Sequence, residues 1–333
     1  MPYRIKPQVR IMALPLLFVV SNLLAQTSIP AAEPSKEVVQ YLDSFQQIIK
    51  QNALYADSVN WRQLSREVTE KSRGLANVED CKPVIDHILR TLRNAGDKHS
   101  FFMPKEKAAS QASSSYEGKQ VESRYLGNGI GYIRVPELTS VNSSVEQTFT
   151  QNIRSQIEAL QTQHQLTGWV VDLRHNSGGN MFPMIKGLQP LLGEGLYGHF
   201  IFPRRTIRKS VPQYAWSGKS KEQKAAEAAR EPKRVAVLLD SLTASSGEMT
   251  ALSFKGLSNA RFFGRPSAGY TTVNQNFRLA DGALLLLATG YMADRNRNTY
   301  LPNIVPDVIV EYSPVDTQDK TIEAARKWLL EAK

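Results

Sequence analysis

From Tyr125 onward, apolar residues fall into short continuous runs that alternate with longer helical patterns. The runs Trp169–Leu173 and Val235–Leu239 are apolar at nearly every position, as expected of strands that are covered on both faces. The segments that follow them, Met181–Leu192 and Met249–Leu257, carry apolar residues at helical spacing. Strands that alternate with helices predict an α/β fold, a mixed sheet core with flanking helices.

The region before this core has a helical pattern. Ser35 is a typical N-cap for a helix whose apolar positions continue to Ile49, and a later helical pattern ends at the loop Gly96–Ser100. Within the core, Phe277–Leu287 is typical of a hairpin. We therefore predict a small helical domain, a flexible connector, the α/β core and a closing amphipathic helix, in that order: residues 35–104, 105–123, 124–313 and 314–333.

The most informative polar segment is Thr243–Glu248, between the second predicted strand and its helix. A serine at such a switch has its hydroxyl at the carboxyl edge of the sheet, where open α/β folds bind ligands. The backbone N–H of Ser246 lies at a helix N-terminus, which favours negative charge. Two interpretations follow. Ser245 is a nucleophile beside half of an oxyanion hole, or the segment is an ordinary N-cap, where Thr and Ser are preferred.

A second turn follows the strand Trp169–Leu173 and contains Asn176, Gly178 and Gly179. Because glycines lack a Cβ atom, their backbone amides can approach a ligand closely. Taken alone, such a turn is usually only a loop. Together with the serine turn it predicts an acyl-transfer site.

These segments resemble the C-terminal-processing (tail-specific) serine proteases, a group that includes the tricorn core and the interphotoreceptor retinoid-binding repeats. The matching pieces occur in family order over about residues 125–313 and are specific only as a set: Gly129–Ile133, Val171–Gly179, Thr243–Glu248, Gly264–Pro266, Asp281-Gly282 and Pro306-Asp307. The resemblance implies a crotonase/ClpP-like core beside a small N-terminal helical domain. Processing proteases carry a PDZ domain near Lys107–Glu122, a stretch too short here to hold one.

The resemblance assigns Ser245 as the nucleophile. It assigns the oxyanion donors to the N–H of Ser246 and to that of a glycine in the pair Gly178-Gly179. The processing-protease branch uses a lysine base, but Tyr270 stands at that position. A phenol with an ordinary pKa of ~10 is a poor base at neutral pH.

The tricorn-like branch takes its base from a histidine far upstream, in an Asp-x-His context. The segment Asp97–His99 fits that pattern, and the ordinary pKa of histidine, ~6.5, suits a base at neutral pH. The resemblance therefore implies that His99 is the general base, and the alternative is a structural loop histidine. His175 is the rival base. No histidine pair has zinc-ligand spacing, so neither a metal nor a cofactor is expected.

The resemblance does not fix the acid that orients the His99 ring. Tyr300 stands near the position where the tricorn-like branch has a glutamate. Glu248, one turn after Ser245 on the same helix face, and Asp294 are the nearby carboxylates. We predict Glu248 for this role, and the alternative is a first-turn acid that complements the helix dipole.

Residues 1–25 have a basic start, an apolar run at 11–20 and a small residue, Ala25, at the end. These are the three parts of a secretory signal peptide. The apolar run is too short and interrupted for a membrane anchor. We predict a periplasmic or secreted protein with no integral membrane span after signal removal. Its single cysteine, Cys81, excludes an internal disulfide.

The formal net charge of +10 at pH 7 raises the question of a nucleic-acid partner. Basic residues are densest within residues 204–233, where glutamates are interleaved and no series of stacking aromatics occurs. That composition indicates a solvated insertion rather than a nucleic-acid surface. No nucleic-acid partner is predicted.

The sequence therefore predicts a serine endopeptidase that hydrolyses peptide or protein substrates through an acyl-enzyme. The alternative is a catalytically inactive family member that binds a peptide or apolar ligand in the same cleft, which the tyrosines at 270 and 300 favour. An esterase or amidase would use the same machinery, but Ser245 is not in a Gly-x-Ser-x-Gly elbow.

Overall fold

A computed structural model of the chain describes residues 32–113, 120–193, 195–203, 233–311 and 317–331. The predicted signal peptide, residues 1–25, and nearly all of the basic insertion lie outside the described residues. The described residues from 33 onward form one compact unit. Among the described helices, none has both the length and the apolarity that crossing a membrane requires.

The strands of the described residues are β1 (Phe101–Met103), β2 (Glu122–Tyr125), β3 (Ile130–Arg134), β4 (Gly168–Asp172), β5 (His199–Ile201), β6 (Arg234–Leu239), β7 (Ala260–Gly264), β8 (Thr272–Arg278), β9 (Leu284–Ala293) and β10 (Val308–Ile309). The helices are α1 (Lys36–Asn52), α2 (Trp61–Lys71), α3 (Lys82–Asn94), α4 (Lys105–Ser113), α5 (Ser143–Gln163), α6 (Met181–Leu192), α7 (Ser246–Leu252) and α8 (Lys320–Leu330).

The larger sheet has six strands in the order β10-β7-β6-β4-β3-β2. Its neighbouring strands run parallel, except for the antiparallel pair β2–β3. Because its parallel strands end at the same edge, the turns after β4 and β6 lie side by side. The prediction of an α/β fold with a mixed sheet is confirmed.

The continuous apolar runs of β4 and β6 are explained by helices on both faces of this sheet. Val171 and Val237 belong to the core shared with α5, α6 and α7. Val170 and Ala236 point to the other face and pack with α8. Since successive strand residues alternate between faces, both sets of positions must be apolar.

The second sheet is antiparallel, with β9 paired to β1, β5 and β8. Strands β8 and β9 form the predicted hairpin, and their buried residues Leu285 and Leu287 share a core with α1, α2 and α3. The helical region at 35–104 is therefore not a domain of its own, because its apolar face is buried against the hairpin. The predicted connector, residues 105–123, contains α4 and the start of β2.

An ion-pair network joins the end of β4 to α8. The guanidinium of Arg174 lies 2.6 Å from the carboxylate of Asp172 and 2.7 Å from that of Asp319, the N-cap of α8. The hydroxyl of Tyr132 also donates to Asp172, at 2.8 Å. Since the glycine turn begins directly after Arg174, this network fixes the start of that turn.

Candidate active site

Ser245 lies between β6 and α7 in an unusual backbone conformation, with φ 52° and ψ −117°. A non-glycine residue held in such a region costs about 1–3 kcal/mol. The turn before it is pinned at two points. The hydroxyl of Thr243 donates to Leu173 O at 2.9 Å, and the N–H of Ala244 donates to Asn176 O at 2.9 Å. Surrounding contacts that hold a strained serine at a sheet edge are typical of functional sites.

The His99 ring meets this serine. Its Nε2 lies 2.9 Å from Ser245 Oγ, and its Nδ1 lies 3.1 Å from Thr272 O and 2.9 Å from Thr272 Oγ1. A carbonyl oxygen only accepts hydrogen bonds, so Nδ1 carries the proton. Nε2 is then an unprotonated acceptor that faces the serine hydroxyl.

The loop that carries His99 is attached to the second sheet at several points. The carboxylate of Asp97 accepts the backbone N–H of His99 at 2.9 Å. Ser100 Oγ accepts the N–H of Ala288 in β9 at 2.8 Å, and Asn274 in β8 donates to His99 O at 3.0 Å. The hairpin therefore carries the histidine to the serine turn.

Burial lowers the pKa of His99 to about 4, against the opposing effects of the Asp97 charge and of the hydrogen bond to Thr272, which raise it. The imidazole is consequently neutral at pH 7. Neutral imidazole is the form that a general base requires.

The glycine turn is cross-linked to the serine turn. Ser246 Oγ donates to Gly179 O at 2.6 Å, and the N–H of Gly178 donates to Asn176 Oδ1 at 3.0 Å. Within the described parts of the chain, the N–H groups of Gly179 and Ser246 make no hydrogen bond. Of the two predicted glycine donors, Gly179 is the one whose N–H is left for a ligand.

Both glycines are required by close packing. A Cβ on Gly179 would lie 2.0 Å from Leu138 O, and one on Gly178 would lie 2.9 Å from Ser245 Cβ. Their φ angles, 100° and 111°, also belong to the region that favours glycine. The turn can therefore lie against the serine only because neither residue has a side chain.

Asn176 connects three segments around the site and is fully buried. Its Nδ2 donates to Val135 O at 3.0 Å, beyond the end of β3. Its Oδ1 and its backbone O accept the N–H groups of Gly178 and Ala244. These contacts hold the glycine turn and the serine turn in register with each other.

Glu248 does not take the position predicted for it. The fully buried carboxylate accepts four hydrogen bonds, from the backbone N–H groups of Ser245 (2.8 Å), Gly269 (2.9 Å) and Tyr270 (2.8 Å) and from the hydroxyl of Ser267 (2.5 Å). Burial raises the pKa of Glu248, although these hydrogen bonds oppose the shift. Within the residues that the structure describes, no hydrogen bond joins this carboxylate to the His99 ring, so the prediction that Glu248 orients the ring is corrected.

The other predicted alternatives lie elsewhere. Asp294 is buried in its own turn, where it accepts the Tyr300 hydroxyl at 2.8 Å. His175 is exposed, and its Nδ1 lies 3.3 Å from Asp240 Oδ2. Neither is bonded to Ser245 or to the His99 ring. Their contacts support neither Asp294 as the orienting acid nor His175 as the base.

Two further residues contact the His99 ring: Thr272, which the sequence did not indicate, and Tyr270, which the sequence placed only at the position of the lysine base. Thr272 occupies the position of the orienting acid, and no spacing or composition signal marks it. Tyr270 packs edge-on against the His99 ring, with ring centres 5.3 Å apart and an interplanar angle of 70°. Its position beside the base follows from the Glu248 hydrogen bond to its backbone.

A cavity of about 540 Å³ lies apart from these residues and is lined by Arg234, Ser258, Asn259, Ala260, Arg261, Asp307 and Trp328. Arg234 and Ala260 begin β6 and β7, so this cavity is at the amino end of the parallel strands. Ser245 follows the carboxyl end. The cavity is not part of the candidate active site.

Comparison with known proteins decides the family. The sequence model described as peptidase family S41 matches residues 129–310, more than half of the chain. The chain belongs to peptidase family S41. The matched range contains Ser245 and both glycines of the turn, whereas His99 lies upstream of it. Membership of a peptidase family places this S41 chain among the hydrolases.

Similar proteins agree with this assignment. The nisin-resistance protein of Lactococcus lactis subsp. lactis is 31% identical over 252 residues, which cover 74% of this chain and 75% of that protein. A lipoprotein structure from Streptococcus agalactiae has a TM-score of 0.68 at 24% identity, covering 96% of this chain and 99% of that one.

The structure of the photosystem II D1 C-terminal processing protease has a TM-score of 0.58 at 14% identity, covering 86% of this chain and 96% of that chain. At such identities the structures establish the fold alone. The resemblance to the C-terminal-processing proteases is thereby confirmed for the family and the fold of this S41 chain.

Proposed function

We propose that this protein is a serine endopeptidase that acts through an acyl-enzyme formed on Ser245. The observation that carries the proposal is the 2.9 Å contact between His99 Nε2 and Ser245 Oγ. The two residues are 146 positions apart in the sequence and belong to different parts of the fold. A nucleophile and a base within hydrogen-bonding reach are the minimum that acyl transfer requires.

The acylation step uses groups that are already in place. His99 Nε2 takes the proton of Ser245 Oγ while that oxygen attacks the carbonyl carbon of the scissile peptide. The carbonyl oxygen becomes an oxyanion, and the N–H groups of Gly179 and Ser246 donate to it. Donors fixed in advance by the backbone stabilise such charge without reorganisation.

The tetrahedral intermediate then collapses. The proton on Nε2 passes to the leaving amine, the C–N bond breaks, and the acyl group remains on Ser245 Oγ as an ester. Water enters, gives a proton to Nε2 and attacks the ester carbonyl. Collapse of the second intermediate returns the proton to Oγ and releases the acid product.

Several exposed apolar side chains lie on the loops beside these groups. Leu242 is in the turn before Ser245, and Tyr270 packs against His99. Leu301 precedes Pro302, whose carbonyl oxygen would lie 2.4 Å from a Cβ on Gly269, the neighbour of Tyr270. Ligand sites are lined predominantly by apolar and aromatic side chains. We therefore propose peptide substrates with apolar side chains near the scissile bond.

The relatives bear on substrate and location. One is named as a nisin-resistance protein and another as a lipoprotein, which supports action at the cell envelope. Together with the predicted signal peptide, this favours a periplasmic or secreted protein. Nisin is therefore the first peptide to test, with cleavage followed by mass spectrometry.

A fluorophosphonate probe tests the proposal, since it modifies only activated serines. We expect one adduct, on Ser245, that disappears in Ser245→Ala and forms much more slowly in His99→Ala. Ser258→Ala, which removes an exposed serine, is the matched control and should label normally. Folded wild-type protein that takes no label would instead support the binding-protein alternative.

The pH dependence of labelling should reflect the buried base. Because burial lowers the pKa of His99 to about 4, the neutral base is present throughout the range from pH 5 to 8. The labelling rate should therefore fall only as the pH drops through about 4. An ordinary histidine would lose activity near pH ~6.5. A midpoint at that value, in protein shown by circular dichroism to be folded, contradicts this expectation.

A further inference from the structure

We propose that Thr272 is the positioning residue of this active site and replaces the acid of a Ser-His-Asp triad. Its two oxygens hold the His99 imidazole in the tautomer that accepts the Ser245 proton. The proposal rests on the proposed function, because it assigns the partner of the base in that reaction.

Geometry assigns the tautomer. Nδ1 of His99 faces both the carbonyl oxygen and the hydroxyl oxygen of Thr272, at 3.1 and 2.9 Å. Since the carbonyl cannot donate, the Nδ1–H must be directed at this residue. The ring is thereby prevented from turning over, and the lone pair on Nε2 stays aimed at Ser245 Oγ.

The charged or titratable groups around the ring do not compete for this position. Asp97 uses its oxygens on the backbone of its own loop and on the Ser100 hydroxyl. Glu248 is bonded to the serine turn and to the loop of Tyr270. Tyr270 contacts the imidazole only through its aromatic ring, which packs edge-on. Among the described residues, no carboxylate is bonded to the His99 ring.

The position of Thr272 in the fold suits this role. It is the first residue of β8, and the strand holds the histidine twice, because Asn274 two residues later donates to His99 O at 3.0 Å. Thr272 is itself buried. A β-branched side chain in a strand has little rotational freedom, so its hydroxyl is fixed relative to the ring.

The replacement has a chemical consequence for the base. A carboxylate in this position stabilises the imidazolium through its charge, whereas the oxygens of Thr272 offer only dipoles. The imidazolium is therefore stabilised less than in a triad. A base of this kind remains neutral at lower pH and gives up its proton readily to the leaving amine.

The labelling rate of the full chain with a fluorophosphonate, measured as a function of pH, tests the role. Thr272→Val removes the hydroxyl and keeps the shape. We expect labelling to be about ten-fold slower. We also expect the acid limb of the pH–rate profile, where the rate falls as His99 is protonated, to move to lower pH, because the imidazolium loses a hydrogen-bond acceptor. Thr272→Ser should restore the labelling rate and the position of the acid limb to near their wild-type values. Thr289→Val, a buried threonine in the adjacent strand β9, is the control.

A third variant supplies the missing charge. Thr272→Asp should move the acid limb upward by roughly two pH units, because a carboxylate beside an imidazolium raises its pKa. A merely structural threonine would not shift the limb in opposite directions with valine and aspartate.

The proposal is overturned if folded Thr272→Val labels at the wild-type rate with an unchanged limb. It is equally overturned if Thr272→Ser labels no faster than the valine variant. Wild-type protein without any adduct on Ser245 would refute the proposed function instead, so the two failures are distinguishable.

Discussion

Replacement of Ser245 by alanine is expected to lower kcat for peptide hydrolysis by about five to six orders of magnitude. In the proposed mechanism Ser245 Oγ forms the acyl-enzyme, and in the alanine variant water would have to attack the peptide directly. The surviving rate would come from the oxyanion donors and from substrate binding. Steady-state cleavage of a peptide that the wild type hydrolyses measures the effect.

The serine and the histidine should act as one unit. We expect Ser245→Ala with His99→Ala to be no slower than either single variant, since each removes the same proton-transfer pair. Ser258→Ala, which changes an exposed serine, should keep full activity. Independent and multiplicative losses would show that His99 does not act on Ser245.

Replacement of Glu248 by glutamine is expected to lower the free energy of unfolding by about 1–3 kcal/mol for each buried donor that loses its acceptor. The carboxylate accepts four hydrogen bonds. In glutamine an NH₂ group replaces one carboxylate oxygen, so donors that faced this oxygen lose their acceptor. Urea denaturation measures the loss. Labelling of Ser245 should slow as well, because an amide at this position weakens the contacts that tie the serine turn to the loop of Tyr270.

The matched control is Glu323→Gln, which removes an exposed carboxylate of α8 that pairs with Arg326. An exposed ion pair contributes little to the free energy of unfolding, so the urea midpoint of this variant should stay within error of wild type. If Glu248→Gln left the unfolding midpoint unchanged while abolishing labelling, Glu248 would act in the chemistry and not as a support for the two loops.

The main sheet could be predicted from the sequence because β4 and β6 are buried on both faces. Such strands are apolar at nearly every position, and the pattern shows them directly. The hairpin β8–β9 was also predictable, from the turn at Asp281-Gly282. The boundary of the helical region was not, since apolar residues on α1 and α3 do not reveal which surface covers them. That surface is the hairpin.

At the site, the turns were predictable and the partners were not. Ser245, Ser246 and the glycine pair each follow a buried strand, so their location at the sheet edge follows from the pattern. The choice of Gly179 over Gly178 depends on the hydrogen bond from Gly178 N–H to Asn176, which forms only in the folded chain.

The orienting group was predicted wrongly for a related reason. The sequence predicted a carboxylate, because a charged partner is usual for a catalytic histidine. The observed partner is a backbone carbonyl with a neighbouring hydroxyl. Every residue has a carbonyl, so no residue type can signal this arrangement.

His99 is attached to the antiparallel hairpin, and Ser245 is attached to the parallel sheet. The proposed proton transfer between them therefore depends on how these two layers pack together. A substitution that loosens the junction of the two layers would abolish the proposed activity even when every reacting group is intact.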